Sequence, residues 1–434
     1  MKKILALALA IFMTCALVFT GCAKPAAEPA PTQAPAQPAA PADSAAPAAP
    51  AATEEPSNVV ADDKWSGMTK DELYDLAKKE GGTITVYTIS SRMQKTCEAF
   101  MEEYPELKAE AVDLDQTEAV SKLEIEAKSK NINADILQCK DGNGEIYYDF
   151  YPLGYLETYY PTDICEHIAN KDLLKYGMPF YVGLNYWYYN TAAFPNGAPI
   201  SNWWDLVEVD ANGKQKCNLI FSDLGSDSTY LTFYANCILH GDEFAKAYEE
   251  KYGKPLEYTY DASATTNVPE NNAGYEFLYR LSQLKLTFID DGDEIVEAVN
   301  AGTDSNSPTL GFCSAGKITN REDNGYTIDW VTKLAPFPNV QNCNYLYIVT
   351  GCDNQAGARL FIRYLMGEAD GQGKGFEPFT KQGNWSIRDD YTNPNNPFDI
   401  QGSGAIVGDM KGVYDIFLDV QEFWTYWLDK NPNM

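Results

Sequence analysis

Between residues 69 and 142 the apolar period alternates between that of a helix and that of a strand, and few folds accept that alternation. Thr69-Lys70-Asp71-Glu72 reads as a capping box. Leu73, Leu76 and Ala77 follow at helical spacing, and Gly81-Gly82 ends the helix. Residues 83–88 (TITVYT) predict a strand. Residues 92–104 predict a helix whose apolar face is Met93, Cys97, Phe100, Met101 and Tyr104, stopped by Pro105. A strand over 108–113, a helix over 117–130 and a strand over 135–139 (DILQC) complete β-α-β-α-β, with a Gly-rich loop after the last strand. That order implies α/β architecture with covering helices on a mainly parallel sheet.

The pattern then changes and returns. Residues 181–190 (YVGLNYWYYN) are extended and strongly aromatic, and residues 201–206 resemble a helix start. Strands are expected over 218–222, 309–313 and 345–350, and helices over 230–239, 272–284, 293–300 and 356–365. The expected organisation is a first lobe over 62–187, a second α/β lobe over 188–315, and a return over 316–434 to the first lobe with C-terminal helices.

Ahead of this body lies a segment excluded from fold reasoning. Lys2 and Lys3 precede an apolar run over 4–19, and Phe19-Thr20-Gly21-Cys22 closes it, the layout of a secretory signal over 1–21. Those four residues resemble a bacterial lipobox, departing at Phe19 where Leu is usual. The resemblance implies cleavage before Cys22 and lipidation of that Cys. Residues 22–61 are dominated by Ala and Pro and predict a disordered tether, reaching roughly 100 Å from a membrane at the polyproline rise. The expected location is extracytoplasmic, held by lipid at the outer face of the cell membrane or in the periplasm.

The formal net charge is −29, and loss of Lys2 and Lys3 with the signal makes it two units more negative. Such acidity argues against nucleic acid and against docking on anionic membrane surfaces. There are ten cysteines, none in a C-x-x-C pair, and two histidines, His167 and His240. Zinc ribbons, thioredoxin-type redox chemistry and His-dependent triads therefore lack support, and no cofactor is expected. Residues 311–317 fit G-x-x-x-x-G-K, but Ile318 stands where a phosphate loop needs Ser or Thr. The carboxylates at 290–293 do not follow the calcium-loop spacing.

Several stretches, in this order, resemble bacterial extracellular solute-binding proteins that serve ABC importers. They are Gly81-Gly82 into TITVYTISS, EAFMEEYPELKAEAV (98–112), ADILQCKDG (134–142), YYNTAAFP (188–195), ISNWWDL (200–206), GSDSTY (225–230), DEIVEAVNAG (293–302), LGFCSAGK (310–317) and ARLFIRYLMG (358–367). The resemblance is to the two-lobed periplasmic-binding-protein fold of type 2, whose members take ferric iron, polyamines, thiamine, phosphonates or sugar phosphates. It implies a receptor that closes on a small solute, leaves it chemically unchanged and hands it to a membrane permease, most simply as a monomer.

Carried over by position, the expected ligand contacts are Ser90, Ser91 and Arg92 after the first strand, Asp141 after the third, Ser226, Ser228 and Thr229 from the second lobe, and Ser314, Lys317 and Tyr345 near the return. Ser91 with Gln94 also reads as a capping box, and Asp141 as a turn former. Tyr186, Trp187, Trp203, Trp204 and Trp385 are candidates to stack on a sugar, or to sit in the core. The iron binders of the family use adjacent tyrosines. Here Leu346 parts Tyr345 from Tyr347, which are expected to face away from each other and so to disfavour ferric iron. Arg92, Lys317 and the hydroxyls suit a phosphorylated or carboxylated ligand and the aromatics a sugar, whereas a polyamine would want several cleft carboxylates and aromatic walls, of which Asp141 alone is a candidate. The alternative reading is a tethered hydrolase working through paired carboxylates; no G-x-S-x-G elbow is present. A third is an adhesion or scaffold module.

Overall fold

In a computed structural model the described residues are 64–433, all within one unit spanning 55–434. The expected signal, Cys22 lipidation and tether lie outside them. Two sheets, each with its own core, form two lobes.

The first lobe opens with α1 (Lys70–Glu80), β1 (Ile84–Thr88), α2 (Met93–Glu103), β2 (Ala109–Asp113), α3 (Gln116–Ser129) and β3 (Ile136–Lys140). Thr69 caps α1 in the expected box with Glu72, and Gly81 ends it at φ 70°, where a side chain would be strained. β1 is buried at every residue and pairs in parallel with both β2 and β3, which explains why TITVYT shows no polar face. β4 (Leu156–Glu157), α4 (Thr162–Cys165) and β5 (Met178–Gly183) follow.

The chain crosses to the second lobe at Leu184. The aromatic run at 181–190 is therefore two strands in two sheets, since β6 (Asn185–Asn190) pairs with strands of the second sheet. The expected boundary at 187/188 falls inside β6. The second lobe adds β7 (Asn218–Phe221), α5 (Ser228–Leu239), α6 (Gly241–Tyr252), α7 (Ala273–Ser282), β8 (Leu286–Phe288), α8 (Gly292–Ala301), β9 (Thr309–Ser314), α9 (Asn320–Asp323) and β10 (Ile328–Trp330), with sheet order β10-β6-β9-β7-β8.

The return crossing falls between β10 and β11 (Val340–Val349), later than residue 316, because β10 still pairs with β6. β11 runs antiparallel between β3 and β5. With β12 (Asn384–Ser386) it completes the order β12-β5-β11-β3-β1-β2, to which β4 and β13 (Ile406–Val407) add along β11. α10 (Gln355–Leu365) packs in the first core. A third crossing at 408–409 delivers α11 (Met410–Asp429) to the second core, where Val413, Val420, Phe423 and Trp424 are buried. The C-terminal region is thus shared between lobes.

The candidate sugar-stacking rings are all core residues: Tyr186, Trp187, Trp203, Trp204 and Trp385 are at most 2% exposed. Trp203 Nε1–H donates to the Phe337 carbonyl at 2.8 Å and Trp204 Nε1–H to Phe244 at 2.9 Å, so their polar handles are used internally. All eight described cysteines are free thiols. No helix among the described residues is long and apolar enough to cross a membrane.

Candidate functional site

Cross-strand register builds the floor of an inter-lobe cleft. Lys140 at the end of β3 lies opposite Asn344 on β11, and Asn344 opposite Tyr181 on β5. Two residues along, Asn342 lies opposite Gly183, which lies opposite Asn384 on β12. Directly opposed residues share a face, so these two rows present amide, ammonium and phenol groups to one side of the sheet. Gly183 keeps the floor open: a Cβ there would meet only the Asn342 carbonyl, at 3.9 Å.

A cavity of about 170 Å³ stands on this floor. Ser90 and Arg92 wall it from the first lobe, Thr229, Thr232 and Phe233 from α5, Asn185 from the crossing after Leu184, and Ser314 from the end of β9. Ser90, Arg92 and Ser314 are shared with a wider trough lined also by Ser91 and Lys317 and by the carboxylates of Asp291, Asp293, Glu294 and Glu297. On the other face of β11, Asp141, Cys343 and Tyr345 line a separate cavity of about 310 Å³.

The structure thus brings Ser90, Arg92, Thr229 and Ser314 together, with Ser91 and Lys317 at the trough. The expected Ser91–Gln94 capping box does not form: α2 has no side-chain cap, and Gln94 accepts from Ala111 N–H at 3.4 Å. Neither serine hydroxyl is committed to that helix. The other expected contacts sit elsewhere. Asp141 is fully buried, and its carboxylate accepts from Ile146 N–H and Tyr147 N–H, both at 2.9 Å, so it caps a turn of helix. Burial holds its pKa well above the carboxylate range despite those two donors. Ser226 is exposed and donates to the Asp223 carbonyl, and Ser228 is the first residue of α5; neither lines the cavity. Asp227 caps α5 by accepting from Thr229 N–H and Tyr230 N–H, which occupies the helix N-terminus with a protein carboxylate. Lys317 is drawn to Asp293 at 2.7 Å.

Tyr345 and Tyr347 prove to share a face, as residues two apart on a strand do, with ring centroids 6.3 Å apart. The expectation that they face apart is corrected. The Tyr347 hydroxyl donates to the Tyr176 carbonyl at 2.6 Å, and burial raises the pKa of both phenols.

Residue-level reading of the sequence missed Lys140, Asn342, Asn344 and Asn384. Asn344 is fully buried; its Oδ1 accepts from Gln138 at 2.8 Å while its Nδ2 has no partner, and Asn342 Oδ1 is likewise unpartnered. Gln116 holds the Lys140 backbone at both its N–H and its carbonyl. Burial pulls the Lys140 pKa down, and the Asp227 charge pulls it partly back. Lys140 and Arg92 form no ion pair among the described residues. Burial pushes the Tyr181 phenol up to about 12, and Arg92 opposes that rise.

No protein-family model matches the chain, and no curated relative matches it by sequence. Solved structures do match in shape. Iron-bound HitA from Pseudomonas aeruginosa is 11% identical with a TM-score of 0.56, over 80% of this chain and 98% of that one. The periplasmic binding protein AfuA from Actinobacillus pleuropneumoniae, with fructose-6-phosphate bound, is 15% identical with a TM-score of 0.54, over 80% and 98%. MotA from A. tumefaciens B6, in complex with glucopine, is 10% identical with a TM-score of 0.56, over 80% and 100%. Two mixed sheets, three crossings and this likeness give the chain the two-lobed periplasmic-binding-protein fold of type 2.

Proposed function

We propose that this protein is an extracytoplasmic solute-binding receptor, tethered through lipidated Cys22, that captures a small solute between its lobes and delivers it to an ABC-type permease. The observation that carries the reading is the polar lining of the inter-lobe cavity, where Ser90, Arg92, Lys140, Thr229, Ser314 and Asn384 meet and the lysine makes no ion pair among the described residues. Small-solute sites place a few convergent polar groups in a concave cavity, so a polar ligand is the natural complement. Ser90, Ser91, Arg92, Thr229 and Ser314 are the contacts retained from the expected set, with Lys317 at the rim. The lobes divide at Leu184, at 331–339 and at 408–409. HitA, AfuA and MotA, which share the fold, hold respectively iron, fructose-6-phosphate and glucopine.

A carboxylate-dependent hydrolase gains no support from this cavity, because its lining includes no Asp or Glu among the described residues. The test is a thermal-shift screen of the full chain against sugar phosphates, phosphonates, sugars, polyamines, thiamine and ferric salts. One class raises the melting temperature and is recovered unchanged. Consumption of that compound, or no shift with any class, overturns the receptor reading.

A further inference from the structure

We infer that the solute carries a phosphate or carboxylate group, and that Lys140 is the residue that selects it. The inference rests on the receptor reading and names the ligand class of the same cleft.

Arg92 and Lys140 are the charged residues lining the central cavity, and no carboxylate lines it. The counter-charge that Lys140 feels is Asp227, whose carboxylate is engaged by two backbone N–H groups and makes no ion pair with the lysine. The Asn344 Nδ2 donor, across the strand pair from Lys140, is buried and unused. An ammonium and a guanidinium thus line one small space whose own walls carry no carboxylate, while the carboxylates of Asp291, Asp293, Glu294 and Glu297 line the outer trough that Arg92 also borders. A cation taken out of water without a partner is unfavourable unless a ligand supplies one. A phosphate or carboxylate oxygen accepts from both cations, and charge-assisted bonds of this kind are the stronger ones. The hydroxyls of Ser90, Thr229 and Ser314 and the amides of Asn342 and Asn384 surround them and suit a hydroxylated body. Lys317, the cation nominated by its place after Gly316, is held by Asp293 and faces the outer trough.

The experiment is calorimetric titration of the full chain with glucose 6-phosphate, glycerol 3-phosphate, gluconate and glucuronate, beside glucose, glycerol, spermidine and ferric citrate. Wild type and the Lys140→Met and Asn344→Asp variants are compared. An anionic polyol binds and its neutral counterpart does not; whether phosphate or carboxylate wins identifies the source of the charge. Lys140→Met weakens that binding about 30-fold or more. It also raises the melting temperature of the ligand-free protein, because it removes a desolvated charge. Asn344→Asp keeps the acceptor for Gln138 but places a carboxylate beside Lys140, and abolishes binding without loss of fold. Binding of glucose, spermidine or ferric citrate in preference to every anion overturns the inference while the receptor reading stands. Anion binding that survives Lys140→Met also overturns it. If none of these probes binds and the wider thermal-shift screen finds no solute, the receptor reading itself falls.

Discussion

At the scale of single residues, the cleft depends on what is small and what is unpaired. Gly183 is the small residue. Gly183→Val puts a β-branched side chain into a strand, where it is well tolerated, and meets no close backbone. The variant is expected to keep its melting temperature and lose solute binding, as read by calorimetry and circular dichroism; retained affinity would place the solute elsewhere. Which residues of the site were legible follows from locality. Ser90, Arg92 and Ser314 sit beside strand ends, where sequence order alone puts them near a cleft. Lys140 was not legible, because a lysine closing a strand looks like a solvated surface residue. Only pairing with Asn344, about two hundred positions later, turns it inward over a shared floor. Asp141 misled for the converse reason: its backbone partners, Ile146 and Tyr147, lie five and six residues on, in a turn no periodicity announced.

At the scale of elements, two helices carry testable electrostatics. α5 begins with Asp227 as its cap, and that carboxylate is the charge opposing Lys140. Asn caps about as well as Asp, so Asp227→Asn is expected to fold normally. Removing its negative charge tightens an anionic solute about threefold or more; unchanged affinity would mean the Asp227 charge is not felt at the site. α4 is tied to α10 by Asp163 and the buried Arg363, through bonds of 2.8 and 2.7 Å. Arg363 holds the Asp163 pKa below the usual carboxylate range. A lowered folded pKa contributes stability that is present above the unfolded value near 4 and is lost as pH falls through the folded value. Asp163 is nearly half exposed, which screens the pair, and Arg363 keeps Glu368, so Asp163→Asn is expected to cost about 1 kcal/mol in urea denaturation at pH 7, and the difference from wild type shrinks as pH falls below about 4. A difference independent of pH would sever the tie. The elements themselves were largely legible: the box at Thr69, the strand at TITVYT and the core face of α2 stand where the spacing put them. α5 begins two residues earlier than expected, at Ser228, because Asp227 supplies its cap.

At the scale of the whole molecule, three crossings join two separately cored lobes around a polar cleft. Hinge closure on a solute predicts a lower radius of gyration by small-angle X-ray scattering when the solute is saturating, with no change in circular dichroism. An unchanged radius would mean that the cleft is already closed or rigid. Sequence alone determined the alternating elements and the α/β class, because helix and strand periods are local properties of neighbouring side chains. It did not determine that residues 181–190 divide between two sheets, that β11 returns antiparallel beside β3, or that α11 covers the second core. Those depend on which distant apolar faces bury one another, and hydrophobic burial is non-directional along the chain. The cleft belongs to the second kind, since its floor exists only where β3, β5, β11 and β12, drawn from four separate stretches, lie side by side.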